Sequence, residues 1–279
     1  LYHRGPDSEG KLSENGFGLV FRRLAIIDPI KLSDQPMTSI DGNYTIIFNG
    51  EIYNYKQIKE NLQNIGVKFQ TNSDTEVLLA GYSTYGEKIL DFIEGMYAFI
   101  IVDRKKNIAF AARDPFGIKP LYYIRKRNFT AFASEMRVFS RIRKALPDPN
   151  ALPELLTYKW AAGSVSNEKD VIKVEGGTFI KINLFDGSIK KSRFKNILDF
   201  LSTPKNINDK EISIALEKSV KDHLVSDVGY STQLSGGIDS SLITALACKN
   251  NDKMVSTYGI EIEDDKLDEK IYRNIFWSR

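Results

Sequence analysis

The sequence predicts a β-rich α+β unit of antiparallel strands, followed by the opening of an α/β unit with parallel strands. Three observations carry that prediction. Short apolar runs separated by turn residues crowd residues 1–140, as in sheets built from hairpins. From residue 210 the apolar period becomes helical, with Ile212, Leu216, Val220 and Leu224 spaced by four. An extended run, a glycine-rich loop, an apolar helix and a second extended run follow, which is the order of a βαβ crossover.

The first strands are "YTIIF" (44–48), "AFIIVD" (98–103), "IAFAAR" (108–113), "LYYIR" (121–125) and "TAFAS" (130–134). Several are apolar on both faces, so the sheet should be covered on both sides. A helix over 55–65 places Ile58, Leu62 and Ile65 on one face and stops at Gly66. A second helix opens at Ser73, with Glu76 three residues on as a capping box. Residues 141–205 read as the remainder of this unit and a linker, with one short helix in "DPNALPELLTYKW" and a hairpin around Asp186-Gly187. The polar stretch "LSTPKNIND" (201–209) marks a boundary, so the divisions are 1–140, 141–205 and 206–279. In the last part a helix over 210–224, a strand in "DVGYSTQL", a helix over 240–249 and a strand in "VSTYGIEI" are expected. Gln233 breaks the apolar pattern of a buried parallel strand and would need hydrogen-bond partners there.

Composition excludes several classes. Of the 279 residues 42% are hydrophobic and 27% charged, the net charge is +3, and no apolar run approaches the ~20 residues that span a bilayer. The one basic run, "IRKRN" at 124–128, reads as a solvated hairpin end, not a nucleic-acid surface. The single cysteine, Cys248, rules out an internal disulfide and a cysteine-based metal site, and is expected as a small residue at least partly buried in its helix. With no signal peptide visible, the cytoplasm is the default compartment. The chain starts at Leu1 and ends within a helical pattern, so both ends read as cut.

The loop "LSGGIDSS" carries chemistry. Between strand and helix, backbone N–H groups and the helix dipole make an anion site suited to phosphate. Gly236 and Gly237 let the backbone approach a ligand, and Ser235, Ser240 and Ser241 add hydroxyls. Asp239 would repel an anion unless a divalent cation sat between carboxylate and phosphates. The lysine of a Walker loop is missing, as is the dinucleotide glycine pattern. The bland alternative is a glycine turn with a serine cap.

"SGGIDSS" resembles the pyrophosphate-binding loop of the N-type ATP pyrophosphatases, which adenylate a carboxylate or carbonyl. "HRGPDSEG", "RRLAIID", "FNGEIYNY", "NSDTEVLL", "GMYAFIIVD", "RDPFGIKPLYY" and "ASEM" follow one another in residues 3–136. Together they resemble a class II glutamine amidotransferase domain of the N-terminal-nucleophile type. The two in succession are similar to the layout of the glutamine-dependent asparagine synthetases.

That resemblance implies an αββα sandwich of antiparallel sheets, then the start of a parallel-sheet ATP pyrophosphatase domain. It implies glutamine binding by Arg23, Leu24, Ala25, Ile26, Ile27, Asn49, Gly50, Glu51 and Asp74. Arg23 suits the α-carboxylate as a bidentate fork, Glu51 and Asp74 suit the α-ammonium, and Asn49 and Gly50 suit an oxyanion. ATP falls to Leu234, Ser235, Gly236, Gly237, Asp239, Ser240 and Ile260, and Mg²⁺ to Asp239. Glutamine, aspartate and ATP are the small-molecule partners, a homodimer is open, and neither nucleic acid nor membrane is expected. The family's cysteine nucleophile has no counterpart here, so its opening segment and the remainder of its synthetase domain read as missing. Taken singly, Asn49-Gly50 is also a hairpin-turn pair, Ser73/Glu76 a cap, and Arg113-Asp114 a surface ion pair. Other outcomes of the same layout are a β-lactam-synthetase-like enzyme, an amidotransferase acting on a sugar acid, or an inactive nucleotide-binding fragment.

Overall fold

In the computed structural model, residues 1–201, 208–251 and 254–260 are described. The chain divides into two compact units, 1–204 and 205–279.

The first unit is built on a six-stranded sheet. In chain order it holds β1 (Ser8–Glu14), β2 (Phe17–Arg23), β3 (Met37–Thr38), β4 (Tyr44–Ile52), helices α1 (Tyr55–Asn64) and α2 (Asp74–Tyr85), β5 (Gly95–Asp103), β6 (Ile108–Arg113), β7 (Tyr122–Arg125), β8 (Thr130–Ala133), α3 (Leu152–Tyr158), β9 (Ile172–Lys173), β10 (Thr178–Asn183) and β11 (Ile189–Arg193). The main sheet runs β11-β10-β6-β5-β4-β3, with every pairing antiparallel. Two smaller antiparallel sheets, β1-β2 and β8-β7-β9, complete the unit.

Alternation along each strand assigns the two faces of the main sheet. Tyr44, Phe99, Phe110 and Phe179 share one face, where the Tyr82 ring of α2 packs edge-on to Tyr44 and tilted against Phe110. On the other face Ala98, Ala111, Ile180 and Ile182 pack with Leu121 and Val174, and with Tyr123 and Phe132 of the β7–β8 hairpin. The outer side of that hairpin is covered in turn by Phe139, in a short 3-10 helix over Met136–Arg141, which packs with Ile124 and Val171. The layers are thus helix, sheet, sheet and a short helical cover, the antiparallel sandwich that the sequence predicts.

Several local expectations change. The segment 178–193 is a hairpin as expected, but β10 pairs with β6, so it belongs to the main sheet. Ile65 is exposed at the end of α1, whose buried face is Tyr55, Ile58 and Leu62. Only half of the capping box of α2 forms: Ser73 caps the Glu76 N–H, while the Glu76 carboxylate turns outward to Gln70 N, Thr71 N and the Thr71 hydroxyl. Strand β4 continues through Asn49-Gly50 to Ile52, so that pair lies mid-strand and not in a turn. A Cβ on Gly50 would run into the carbonyl oxygen of Met96 and the Cα of Tyr97, which explains the glycine there. Residues 125–128 of the "IRKRN" run do form the exposed end of the β7–β8 hairpin, while Ile124 points inward and is buried.

The second unit holds α4 (Asp209–His223), β12 (Ser231–Gln233), α5 (Ile238–Lys249) and β13 (Ser256–Tyr258). Asn208 and Glu211 form a full capping box on α4. Strands β12 and β13 are parallel and joined through α5, as a βαβ crossover requires. Gln233 is exposed, so its amide needs no buried partner, whereas the half-buried Thr232 is bonded by the Thr244 hydroxyl at 3.1 Å. Cys248 is exposed, contrary to the burial expected of it, because it sits on the outer face of α5. The expected strand residues 261 and 262 lie outside the described residues. Among the described residues no helix is long and apolar enough to cross a membrane.

Candidate active site

Four sequence segments of the first unit are tied together by carboxylates. Asp7, in "HRGPD", accepts the backbone N–H of Ala25 at 2.8 Å. Asp34 accepts from the Ser8 hydroxyl at 2.8 Å and from Arg23 at 3.0 Å. Asp28 is buried with φ at +50°, and its carboxylate accepts from the Ser33 hydroxyl at 2.5 Å and from Asn72 N–H at 3.0 Å. Asp74, at the first position of α2, accepts the Ile52 N–H at 3.1 Å. Residues 3–10, 22–34, 48–55 and 72–79 therefore converge, although they are far apart in the chain.

Arg23 lies 7% exposed at the end of β2. Its guanidinium is turned into the loop that follows, donating to the carbonyls of Ile27 at 3.0 Å, Asp28 at 2.8 Å and Ile30 at 3.0 Å, and to Asp34. In this arrangement the fork braces residues 27–34. Leu24 is exposed, Ala25 and Ile26 are half-buried, and Ile27 is buried.

Asn49 and Glu51, two apart on β4, share a sheet face, and Asn49 pairs in register with Ala98. Asn49 lies on the wall of a cleft of about 1680 Å³ between the β1–β2 hairpin, the main sheet and the β7–β8 hairpin. Its Nδ2 is shielded from solvent and has no hydrogen-bond partner among the described residues. A buried amide without an acceptor is costly and uncommon, and here it presents an unused donor. Glu51 and Asp74 are neighbours electrostatically but do not line that cleft. Burial, reinforced by the Glu51 charge and opposed by the Ile52 N–H, pushes the Asp74 carboxyl up to about 7. An incoming cation would relieve both carboxylates.

Sequence reasoning missed the roles of Arg113 and Asp114. They are not a surface pair: both are buried, and each organises the loop "DPFGIKP" on its own. Arg113 donates to the carbonyls of Lys119, Val174 and Gly117 at 2.5–2.6 Å. Asp114 accepts the N–H groups of Phe116, Ile118, Lys119 and Tyr97. The loop in turn brings Lys119 within electrostatic reach of Glu51. The motif's Arg-Asp pair preceding a Pro–Gly turn was the available signal.

In the second unit, Leu234 is buried and its N–H continues the β12–β13 ladder to the Tyr258 carbonyl at 2.8 Å. Gly236 takes φ of +105°, a conformation that glycine alone adopts without strain. Gly237 is the N-cap of α5, and Ile238, Asp239 and Ser240 form its first turn, where N–H groups lack intrahelical acceptors. The Ser235 hydroxyl meets that of Ser240 at 3.0 Å and accepts from Gly237 N–H at 3.2 Å, which holds the loop in shape. Asp239 and Ile260 are exposed. Among the described residues no three His, Cys, Asp or Glu side chains gather to hold a metal, so Asp239 stands as a single carboxylate.

Residues 1–195 match the family model described as glutamine amidotransferase domain. The chain belongs to that family. Residues 211–276 match the model described as asparagine synthase. Asparagine synthetase [glutamine-hydrolyzing] 1 of Bacillus subtilis is 39% identical over 271 residues, which cover 96% of this chain and 42% of that protein. A putative asparagine synthetase [glutamine-hydrolyzing] of Mycobacterium bovis is 35% identical, covering 94% and 43%. This glutamine amidotransferase chain thus spans less than half the length of those relatives. Among solved structures, the allosteric regulatory enzyme of purine biosynthesis aligns over 90% of this chain and 52% of its own, at 22% identity and a TM-score of 0.47.

Proposed function

We propose that the chain is the glutamine-hydrolysing unit and the opening of the ATP-using unit of an asparagine synthetase, working in the cytoplasm on glutamine, aspartate and ATP. The observation that carries the glutaminase half is the Nδ2 of Asn49, shielded beside Gly50 on β4 and without a partner among the described residues. When a thiolate attacks the glutamine amide, negative charge gathers on the former carbonyl oxygen. A preorganised donor that nothing else occupies is worth most at that moment. Glu51 and Asp74 receive the α-ammonium, and burial of Asp74 makes that charge its natural partner. Arg23 and the backbone of Leu24, Ala25, Ile26 and Ile27 hold the α-carboxylate end, Arg23 giving up Asp34 as it does so. The one cysteine of the chain lies in α5, so residues 1–279 supply the grip and the oxyanion donors but not the attacking thiolate.

In the second unit the Ser235–Ser240 loop and the first turn of α5 take the phosphates of ATP, with Ile260 at the base. A single carboxylate suits only a divalent ion carried in by the phosphates, and Asp239 would be its protein ligand. Such an ion would neutralise phosphate charge as pyrophosphate leaves. Ammonia freed in the first unit would then attack an aspartyl-adenylate.

The test is a nitrogen balance with protein expressed from the complete gene. Glutamate, asparagine, AMP and pyrophosphate should appear together, and pyrophosphate release should require aspartate. Pyrophosphate release that ignores aspartate but follows another carboxylate would overturn the acceptor. Residues 1–279 alone should release no glutamate.

A further inference from the structure

Gln35 is buried, 7% exposed, and uncharged, and lies outside the set of residues proposed to touch glutamine. Its side-chain amide is used on both sides. Oε1 accepts the Phe48 N–H at 2.6 Å, while Nε2 donates to the Phe48 carbonyl and to the Thr75 hydroxyl, both at 3.3 Å. Strand β3 pairs with β4 only at Met37↔Ile46 and Thr38↔Thr45. That register, extended by two residues, brings position 35 opposite Phe48. A primary amide sets an acceptor oxygen beside an N–H donor, spaced to meet one residue of a neighbouring strand, and its second N–H is left for Thr75. Gln35 therefore continues the ladder with its side chain where the edge strand has ended.

The residues it holds adjoin the site on both sides. Phe48 precedes the oxyanion pair Asn49-Gly50, and Thr75 follows Asp74. One amide thus fixes the middle of β4 and the start of α2 against each other. We propose that Gln35 is a positioning residue for glutamine hydrolysis: it sets the separation between the oxyanion donors on β4 and the ammonium-binding carboxylate on α2. This rests on the glutaminase reading above. Displacing such donors by an ångström is enough to slow a reaction about 10²-fold.

The experiment compares glutamine and free ammonia as nitrogen donors in the complete protein. Gln35→Met, of similar length and without the amide, should lower kcat with glutamine about 10²-fold. With ammonia the same protein should turn over within twofold of wild type, because that reaction does not use the glutaminase site. A variant that keeps the wild-type kcat with glutamine overturns the role of Gln35. So does a loss of both reactions by one factor in Gln35→Met and again in Gln35→Glu, which retains an acceptor for Phe48. If the wild-type protein itself uses ammonia but not glutamine, the glutaminase reading fails and takes this role with it.

Discussion

The carboxylate of Asp74 accepts the backbone N–H of Ile52 at 3.1 Å, one residue beyond Glu51. The bond fastens the start of α2 to the end of β4 and brings two carboxylates into one neighbourhood. Burial holds Asp74 up at about 7, against an ordinary value of 3.8. Between about pH 4 and pH 7 the folded chain therefore keeps a proton that the unfolded chain has released, and stability falls as pH rises through that window. Asp74→Asn should remove the slope: its melting temperature should exceed wild type at pH 8 and match it near pH 4. A pair of pH–melting curves checks this. In the proposed role of Asp74 the α-ammonium of glutamine pairs with the ionised carboxylate, so the Kd of wild type should rise as pH falls below 7.

Asn49→Ala should separate catalysis from stability. Losing an oxyanion donor costs about 10²–10³-fold in kcat for glutamine hydrolysis. Because Nδ2 makes no bond to any described residue, the unfolding free energy should stay within about 1 kcal/mol of wild type. Steady-state kinetics and denaturant titration on the complete protein decide the matter.

Arg23→Lys should behave as a disruptive change. The guanidinium serves three carbonyls and Asp34 at once, and an ammonium cannot reach them from one point. A loss of about 1–3 kcal/mol is expected, because the loop carbonyls of Ile27, Asp28 and Ile30 lose their donors. Denaturant unfolding measures it, and a melting profile equal to wild type would show that the brace is dispensable.

Gly236→Ala should act on nucleotide alone. A Cβ at φ of +105° forces the loop to shift just where phosphates would approach the first turn of α5. ATP affinity should fall at least tenfold, about 1.4 kcal/mol or more, by calorimetric titration. Glutamine affinity should not change.

Much of the fold was legible because it is written in apolar runs. Strands β4 to β8 and the β12–α5–β13 crossover stand out, since burial on one or both faces dictates their composition. Strand β1, "SEGKLSE", was not legible: it is half to fully exposed along its length, so nothing hydrophobic marks it. Asn49-Gly50 misleads when read alone, because the glycine is required by the close approach of β5 and not by a turn. The roles of Gln35, Arg113 and Asp114 were hidden for a different reason. Each works by satisfying backbone groups distant in sequence, and no local pattern records which carbonyl or N–H a side chain will meet. Site residues such as Glu51 and Asp74 came from the resemblance, and only the structure reveals how Asp74 is buried.

The four carboxylates that stitch residues 3–10, 22–34, 48–55 and 72–79 have a consequence for how this site can change over time. Asp28 and Asp34 share partners through Arg23 and the loop it braces. Substituting one alters the geometry on which the other's contribution depends, so their effects will not add. Drift in one segment is tolerable only with matching drift in the next, and the four stretches are bound to evolve as a single block.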